Sequence, residues 1–185
     1  MKFIDTKFAD AWLIEPKVFK DNRGFFLETY AEKKFAERGI DAVFVQDNHS
    51  KSVALGVLRG LHFQVPPCEQ AKLVRTTKGR ILDVIVDIRI ASPTYGHWQS
   101  FELTEENYHM LFVPRGFAHG FCTLAPDTEV QYKVDSPYAP THDAGIRWND
   151  PDLAIDWPID NPVLSPKDAL LPLHKDFDSP FRVGR

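Results

Sequence analysis

Two basic side chains of different chemistry stand three residues apart in Gly56-Val57-Leu58-Arg59-Gly60-Leu61-His62-Phe63-Gln64. Arg59 is a permanent cation suited to a phosphate or carboxylate. His62 can take up or release a proton near neutral pH. The apolar residues around them read as a short strand. A strand buried wholly in a core has little use for either side chain; one lining a wet pocket that holds an anion and moves a proton has use for both. A histidine standing alone in a strand is more simply satisfied by a backbone group. His62 has company: Gln64, Lys72, His119 and Tyr132 lie on neighbouring predicted strands and could converge with Arg59 in one barrel mouth. Parity is the obstacle, because a regular strand sends Arg59 and His62 to opposite faces. A bulge at Gly60 would return both to one side.

Three further features bear on chemistry. Pro114-Arg115-Gly116-Phe117-Ala118-His119 resembles the second half of the cupin signature. The first half wants two histidines one residue apart, then Glu, then Gly. His62 and Glu69 fit, Gly79 fits loosely, and Gln64 stands where the second histidine belongs. A metal-dependent reading would therefore rest on His62, Glu69 and His119. Tyr132 shares a strand face with Val130 and Val134. It reads either as a core or interface tyrosine or as a phenolic acid able to protonate an enolate. Asp168 follows Ser165-Pro166-Lys167. It reads either as the N3 carboxylate of a capping box or as the group that orients a histidine. Arg23, Arg59, Lys72 and Lys167 form a basic set; lone cations are usually solvated, but Arg23 and Arg59 stand beside apolar strands, and a diphosphate would suit these two.

The elements that must hold these residues read as β structure. Asp21-Asn22-Arg23-Gly24 is turn chemistry launching a strand over Phe25–Tyr30. Ala31–Arg38 has helix formers and stops at Gly39. Val43–Ser52 begins apolar and becomes wholly polar. Arg80–Arg89 alternates, with Leu82, Val84, Val86 and Ile88 on one face and Ile81, Asp83, Ile85 and Asp87 on the other. Strands over Gln70–Thr77, His97–Thr104, His109–Val113, Phe117–Leu124 and Glu129–Val134 are separated by Gly and Pro turns. That spacing is the pattern of an antiparallel sandwich or barrel. Residues 136–185 are rich in Pro, Asp and Trp and read as a wrap, with one short helix after Ser165. The expectation is one domain over residues 1–185.

Composition agrees and excludes some classes. Hydrophobic residues make up 43% and the net charge is −4, so a nucleic-acid backbone is a poor partner. No window approaches a membrane span, and the N-terminus lacks the apolar run of a signal peptide. Cys68 and Cys122 form no CxxC motif and read as free thiols in a reducing compartment. The expected location is the cytoplasm.

Seven segments in order carry a specific likeness: DNRGFFLETY, QDNHSKSVALGVLRGLHFQ, KLVRTTKG, DVIVDIR, PRGFAHGF, IRWNDPDLAIDWP and LSPKDALLP. Over roughly residues 1–175 the chain resembles the dTDP-4-dehydrorhamnose 3,5-epimerases. The resemblance implies an all-β, cupin-type jelly roll (double-stranded β-helix) and a homodimer with no metal or organic cofactor. It implies that His62 is the catalytic base, paired with Asp168. Tyr132 is then the proton donor, and Lys72 stands near the sugar keto oxygen. Arg23, Glu28, Gln46, Asn48, Arg59, His119 and Lys167 match positions that hold nucleotide, diphosphate or sugar. Asp143 stands where the family commonly has Glu, one methylene shorter. The implied substrate is a dTDP-4-keto-6-deoxy sugar, epimerised at C3 and C5. Epimerisation at one centre only, a metal-dependent cupin enzyme and a non-catalytic sugar-nucleotide binding module are the alternatives that the residues leave open.

Overall fold

The computed structural model describes residues 1–183; the domain end expected at residue 185 lies outside the described residues. The first strands are β1 (Lys2–Asp5), β2 (Trp12–Glu15), β3 (Val18–Asp21), β4 (Gly24–Leu27) and β5 (Gln46–Ser52). They are followed by β6 (Leu58–Gln64), β7 (Lys72–Lys78), β8 (Arg80–Asp87) and β9 (Trp98–Thr104). The last are β10 (Met110–Val113), β11 (Phe117–Thr123), β12 (Thr128–Val134) and β13 (Asp143–Gly145). Two short helices, α1 (Glu32–Ala36) and α2 (Pro166–Ala169), complete the chain with a 3-10 turn at His174–Asp176.

The strands form two antiparallel sheets, of order β1-β2-β10-β7-β12-β5 and β13-β6-β11-β8-β9, and a separate β3–β4 hairpin. The facing surfaces enclose a core of Val74, Ile81, Ile85, Leu103, Leu111, Phe117, Phe121 and Val130. The β8 alternation explains the layering. Ile81 and Ile85 point between the sheets, while Val84, Val86 and Ile88 join Leu61, Phe63 and Phe181 on the outer face of the smaller sheet. The segment after β12 covers that outer face, where Trp98 Nε1 donates to the Leu153 carbonyl. The outer face of the larger sheet packs against α1 through Phe35, 1% exposed. Full burial of that ring stabilises the fold by about 2 kcal/mol.

Several sequence expectations need revision. In the Val43–Ser52 stretch the strand is the polar half, Gln46–Ser52. β5 is a sheet edge paired only with β12, and its alternate residues Asp47, His49 and Lys51 are exposed, so that face needs no apolar residues. The strand expected over Phe25–Tyr30 is the four-residue β4. Residues 1–21 hold three short strands. β13 has no counterpart among the expected strands; Asp-Ala-Gly carries no strand propensity, and its pairing with β6 is a tertiary event.

Gly60 behaves as parity requires. His119 pairs with His62 and Phe121 with Arg59, so two steps along β11 match three along β6. The extra residue is a bulge, and it turns Arg59 and His62 toward the same cavity. Gly60 has φ +128°, and a Cβ there would lie 2.6 Å from Gly120 Cα and 2.8 Å from the His119 carbonyl.

Candidate active site

A cavity of about 480 Å³ opens at the mouth of the two-sheet barrel, lined from β6, β7, β11, β12, β13 and the α2 region. Of the expected site residues, Arg59, His62, Lys72, His119, Tyr132, Asp143, Lys167 and Asp168 line it.

His62 is delivered by β6 just after the bulge. Its Nε2 lies 2.5 Å from Asp168 Oδ1, across 106 residues of sequence. Asp168 is 3% exposed. Burial pushes its pKa up, but the His62 hydrogen bond and charge, with Ser165 and Lys167, outweigh this and hold it below the ordinary carboxylate value. An ionised carboxylate can only accept, so the ring donates from Nε2, and in the neutral ring the lone pair sits on Nδ1. Asp168 takes part in both the helix start and the histidine pair. Ser165 at the N-cap accepts a hydrogen bond from the Asp168 backbone N–H at 3.1 Å. The Asp168 carboxylate bonds His62, with the Ser165 hydroxyl also helping to hold its pKa down.

Lys72 is buried beneath this pair, with Nζ 3.5 Å from the His62 carbonyl. Burial lowers its pKa to about 8, opposed by the charges of Asp83, Asp143 and Asp135. His119, 7% exposed, meets both oxygens of Asp83, at 2.9 and 3.0 Å. Burial raises the Asp83 pKa, opposed by His119 and Lys72. Asp83 was not among the expected site residues. Its signal was present: an aspartate on the inward face of an apolar strand needs a cationic or donor partner.

Tyr132 stands on the inner face of β12, half-buried against the core. Burial raises its pKa, helped by Asp143 and opposed by Arg59, so its phenol stays protonated at neutral pH. Arg59 donates to Ser52 Oγ and the Lys51 carbonyl, each at 3.2 Å, and has no carboxylate partner among the described residues. Asp143 accepts from Lys167 and, at 2.9 Å, from the Tyr138 hydroxyl.

Four expected residues do not line the cavity. Gln46 and Asn48 bond each other at 2.8 Å on the edge strand β5. Arg23, at the tip of the β3–β4 hairpin, pairs with Asp21 at 2.6 Å and its side chain is 85% exposed. Glu28 pairs with Lys34. The metal-ligand alternative finds no support in the donor geometry. Among the described residues no three His, Cys, Asp or Glu side chains cluster for a metal. His119 is engaged by Asp83, and Glu69 does not line the cavity. No helix among the described residues is long and apolar enough to cross a membrane.

Comparison with known proteins identifies relatives of the whole chain. The family model described as dTDP-4-dehydrorhamnose 3,5-epimerase matches residues 5–176. The dTDP-4-dehydrorhamnose 3,5-epimerase of Sinorhizobium fredii is 50% identical over 173 residues, 93% of this chain and 89% of that protein. A crystal structure of the Bacillus anthracis dTDP-4-dehydrorhamnose 3,5-epimerase with TDP and PPi bound superposes with a TM-score of 0.91. That pair shares 52% identity, covering 93% of this chain and 98% of the other. The Legionella pneumophila dTDP-6-deoxy-D-glucose-3,5-epimerase in complex with dTDP-4-keto-L-rhamnose has the same TM-score at 45% identity, covering 96% and 94%. The expected cupin-type jelly roll is the fold observed.

Proposed function

This chain belongs to the dTDP-4-dehydrorhamnose 3,5-epimerase family, and from that premise we propose that it inverts C3 and C5 of dTDP-4-dehydro-6-deoxy-D-glucose, giving dTDP-4-dehydro-L-rhamnose in dTDP-L-rhamnose synthesis. The observation that carries the proposal is the 2.5 Å His62–Asp168 contact in a cavity shared with Lys72 and Tyr132.

The ketone at C4 acidifies the hydrogens on both neighbouring carbons. His62 Nδ1 removes one of them, and the imidazolium that forms is stabilised by the Asp168 carboxylate on the other side of the ring. A positioned general base of this kind contributes about 10²–10⁴-fold. The electron pair moves into the C4 carbonyl, leaving an enolate oxygen. Lys72, with its pKa near 8, is mostly protonated at neutral pH and supplies the facing cation. Tyr132, held protonated by burial, returns a proton to the opposite face of the carbon, which inverts it. Two such rounds invert both centres. Arg59, His119 and Lys167 hold the diphosphate or sugar, and Asp143 takes the position usually filled by Glu.

Arg23 and Glu28 have no place in this scheme within one chain. The β3–β4 hairpin that carries Arg23 exposes Phe19 (53%), Phe25 (59%) and Phe26 (69%), an apolar surface that favours burial against another molecule. The active species is a homodimer in which the hairpin of one copy brings Arg23 and Glu28 to the cavity of the other. Sedimentation of the wild type and of Phe25→Glu/Phe26→Glu tests this. The double variant should become monomeric and lose substrate affinity; a variant that stays dimeric with unchanged KM refutes it.

The reaction is tested in D₂O with dTDP-4-keto-6-deoxyglucose. Deuterium at C3 and C5, abolished by His62→Asn, is the expected result. Label at one carbon assigns a single-centre epimerase, and no label with folded protein sinks the proposal.

A further inference from the structure

The segment Ser136–Ala139 leaves β12 without regular secondary structure and crosses the cavity wall, where Tyr138 lines the opening. A segment without ladder partners still has backbone groups to satisfy. Here three glutamines from three parts of the fold take them in succession. Gln70 Nε2 donates to the Ser136 carbonyl at 2.7 Å. Gln64 Nε2 donates to the Pro137 carbonyl at 3.2 Å, and its Oε1 accepts from the Ala139 N–H at 2.7 Å. Gln46 on β5 accepts from the Tyr138 N–H at 3.1 Å.

Gln64 is the centre of the set. It is 3% exposed, and its Nε2 also donates to the Cys68 carbonyl at 2.6 Å. One buried amide thus ties two loops to the strand that carries His62. It also faces Asp143 in the β6–β13 register, and Asp143 accepts from the Tyr138 hydroxyl. Gln64 stands where the cupin pattern would have a second histidine. A neutral amide with two donors and an acceptor can grip carbonyls and an N–H together; a neutral imidazole has one donor only.

We propose that Gln64 is a positioning residue: its amide, assisted by Gln70 and Gln46, holds Ser136–Ala139 so that Tyr138 closes one wall of the substrate cavity. Without the clamp the wall is in place for only part of the time, and apparent affinity falls by that fraction. Proton transfer at His62, which the segment does not touch, is preserved once substrate is seated. The proposal rests on the epimerase reading for its kinetic arm only.

Gln64→Met keeps the length of the side chain and removes all three hydrogen bonds. It should raise KM about tenfold and leave kcat within about twofold. Gln64→Glu, which sets a carboxylate against the Cys68 and Pro137 carbonyls, should raise KM further still. Amide hydrogen exchange supplies a second arm, independent of turnover. In Gln64→Met the Ala139 N–H should exchange at least about tenfold faster, while the β12 amides keep their protection. Should Gln64→Met fail to fold, Gln70→Met, at a residue that also lines the cavity, removes the Ser136 hydrogen bond and should both raise KM about threefold and speed Ala139 N–H exchange. Folded variants with unchanged KM and unchanged Ala139 exchange overturn the proposal, as does a fall in kcat at constant KM. A wild type that does not turn over the dTDP-4-keto sugar refutes the epimerase reading instead, and the exchange arm then decides the clamp.

Discussion

Replacing Asp168 by Asn removes one charge and almost no volume, and it distinguishes the two jobs that this residue does. The cap of α2 depends on Ser165 accepting from the Asp168 backbone N–H, a bond that the substitution leaves in place. The stability cost therefore leaves out the cap itself, worth about 1 kcal/mol, and comes only from the side chain's contact with His62. The loss to His62 is larger. A hydrogen bond between charged groups contributes about 1.5–3 kcal/mol, and the imidazolium formed during proton abstraction is the state that feels its absence. At about 1.4 kcal/mol per tenfold, kcat should fall by roughly 10- to 150-fold. Asn also offers an N–H to the ring as readily as an oxygen, and that amide orientation would favour the wrong tautomer, taking the loss toward the upper figure. The pH dependence gives a further check. Asp168 has a folded pKa below its ordinary value, so the stability it contributes is present above about pH 4 and is lost as pH falls through the folded pKa. Asp168→Asn should flatten that acid limb of the stability curve. The assays are steady-state epimerisation, C3/C5 deuterium incorporation and thermal denaturation from about pH 2 to 7. Retention of kcat within about twofold, or a loss of stability alone, would refute the pairing as a catalytic device.

Tyr132→Phe should slow net epimerisation by about 10²-fold or more while deuterium washout from labelled substrate persists; equal loss of both would make Tyr132 a positioning group. Lys72 has a folded pKa of about 8, below its unfolded value of about 10.4, so the unfolded chain binds more protons between these limits. Stability should then rise with pH from about 8 to 10.4 by an amount on the order of 3 kcal/mol. Lys72→Met should abolish both that rise and turnover, and a pH–stability curve identical to wild type would contradict the assignment. Gly60→Ala should cost at least about 2 kcal/mol, because a side chain at positive φ would also meet Gly120 Cα at 2.6 Å. Chemical denaturation measures it, and a change within about 0.5 kcal/mol would show that the bulge tolerates a side chain.

The strand pattern was readable where alternation meets a core. β8 places its two faces in the two layers that its parity predicts. The reading failed where strand identity depends on a neighbour. β5 is polar because it is an edge strand whose alternate residues Asp47, His49 and Lys51 are exposed, and β13 exists because β6 offers it an unpaired side. The candidate site was legible as residue types, through His62 and Arg59 in one strand and Ser165 before Asp168. Asp83 carries the same kind of signal, but its partner His119 lies 36 residues away and no local pattern joins them.

By itself the sequence determined the chemical inventory: a proton acceptor, a phenol, a lysine and a basic set, with the family likeness that joins them. It also posed the parity problem at Gly60, because side-chain alternation is a local property of extended backbone. Only the tertiary structure decided which groups meet. The His62–Asp168 contact spans 106 residues. The about 8 pKa of Lys72 comes from burial between sheets that no local pattern encodes. The separation of Arg23 and Glu28 from the cavity follows from where the hairpin leaves the barrel. Electrostatics and hydrogen bonding act over a few ångströms of space, and the fold alone sets which residues lie within them.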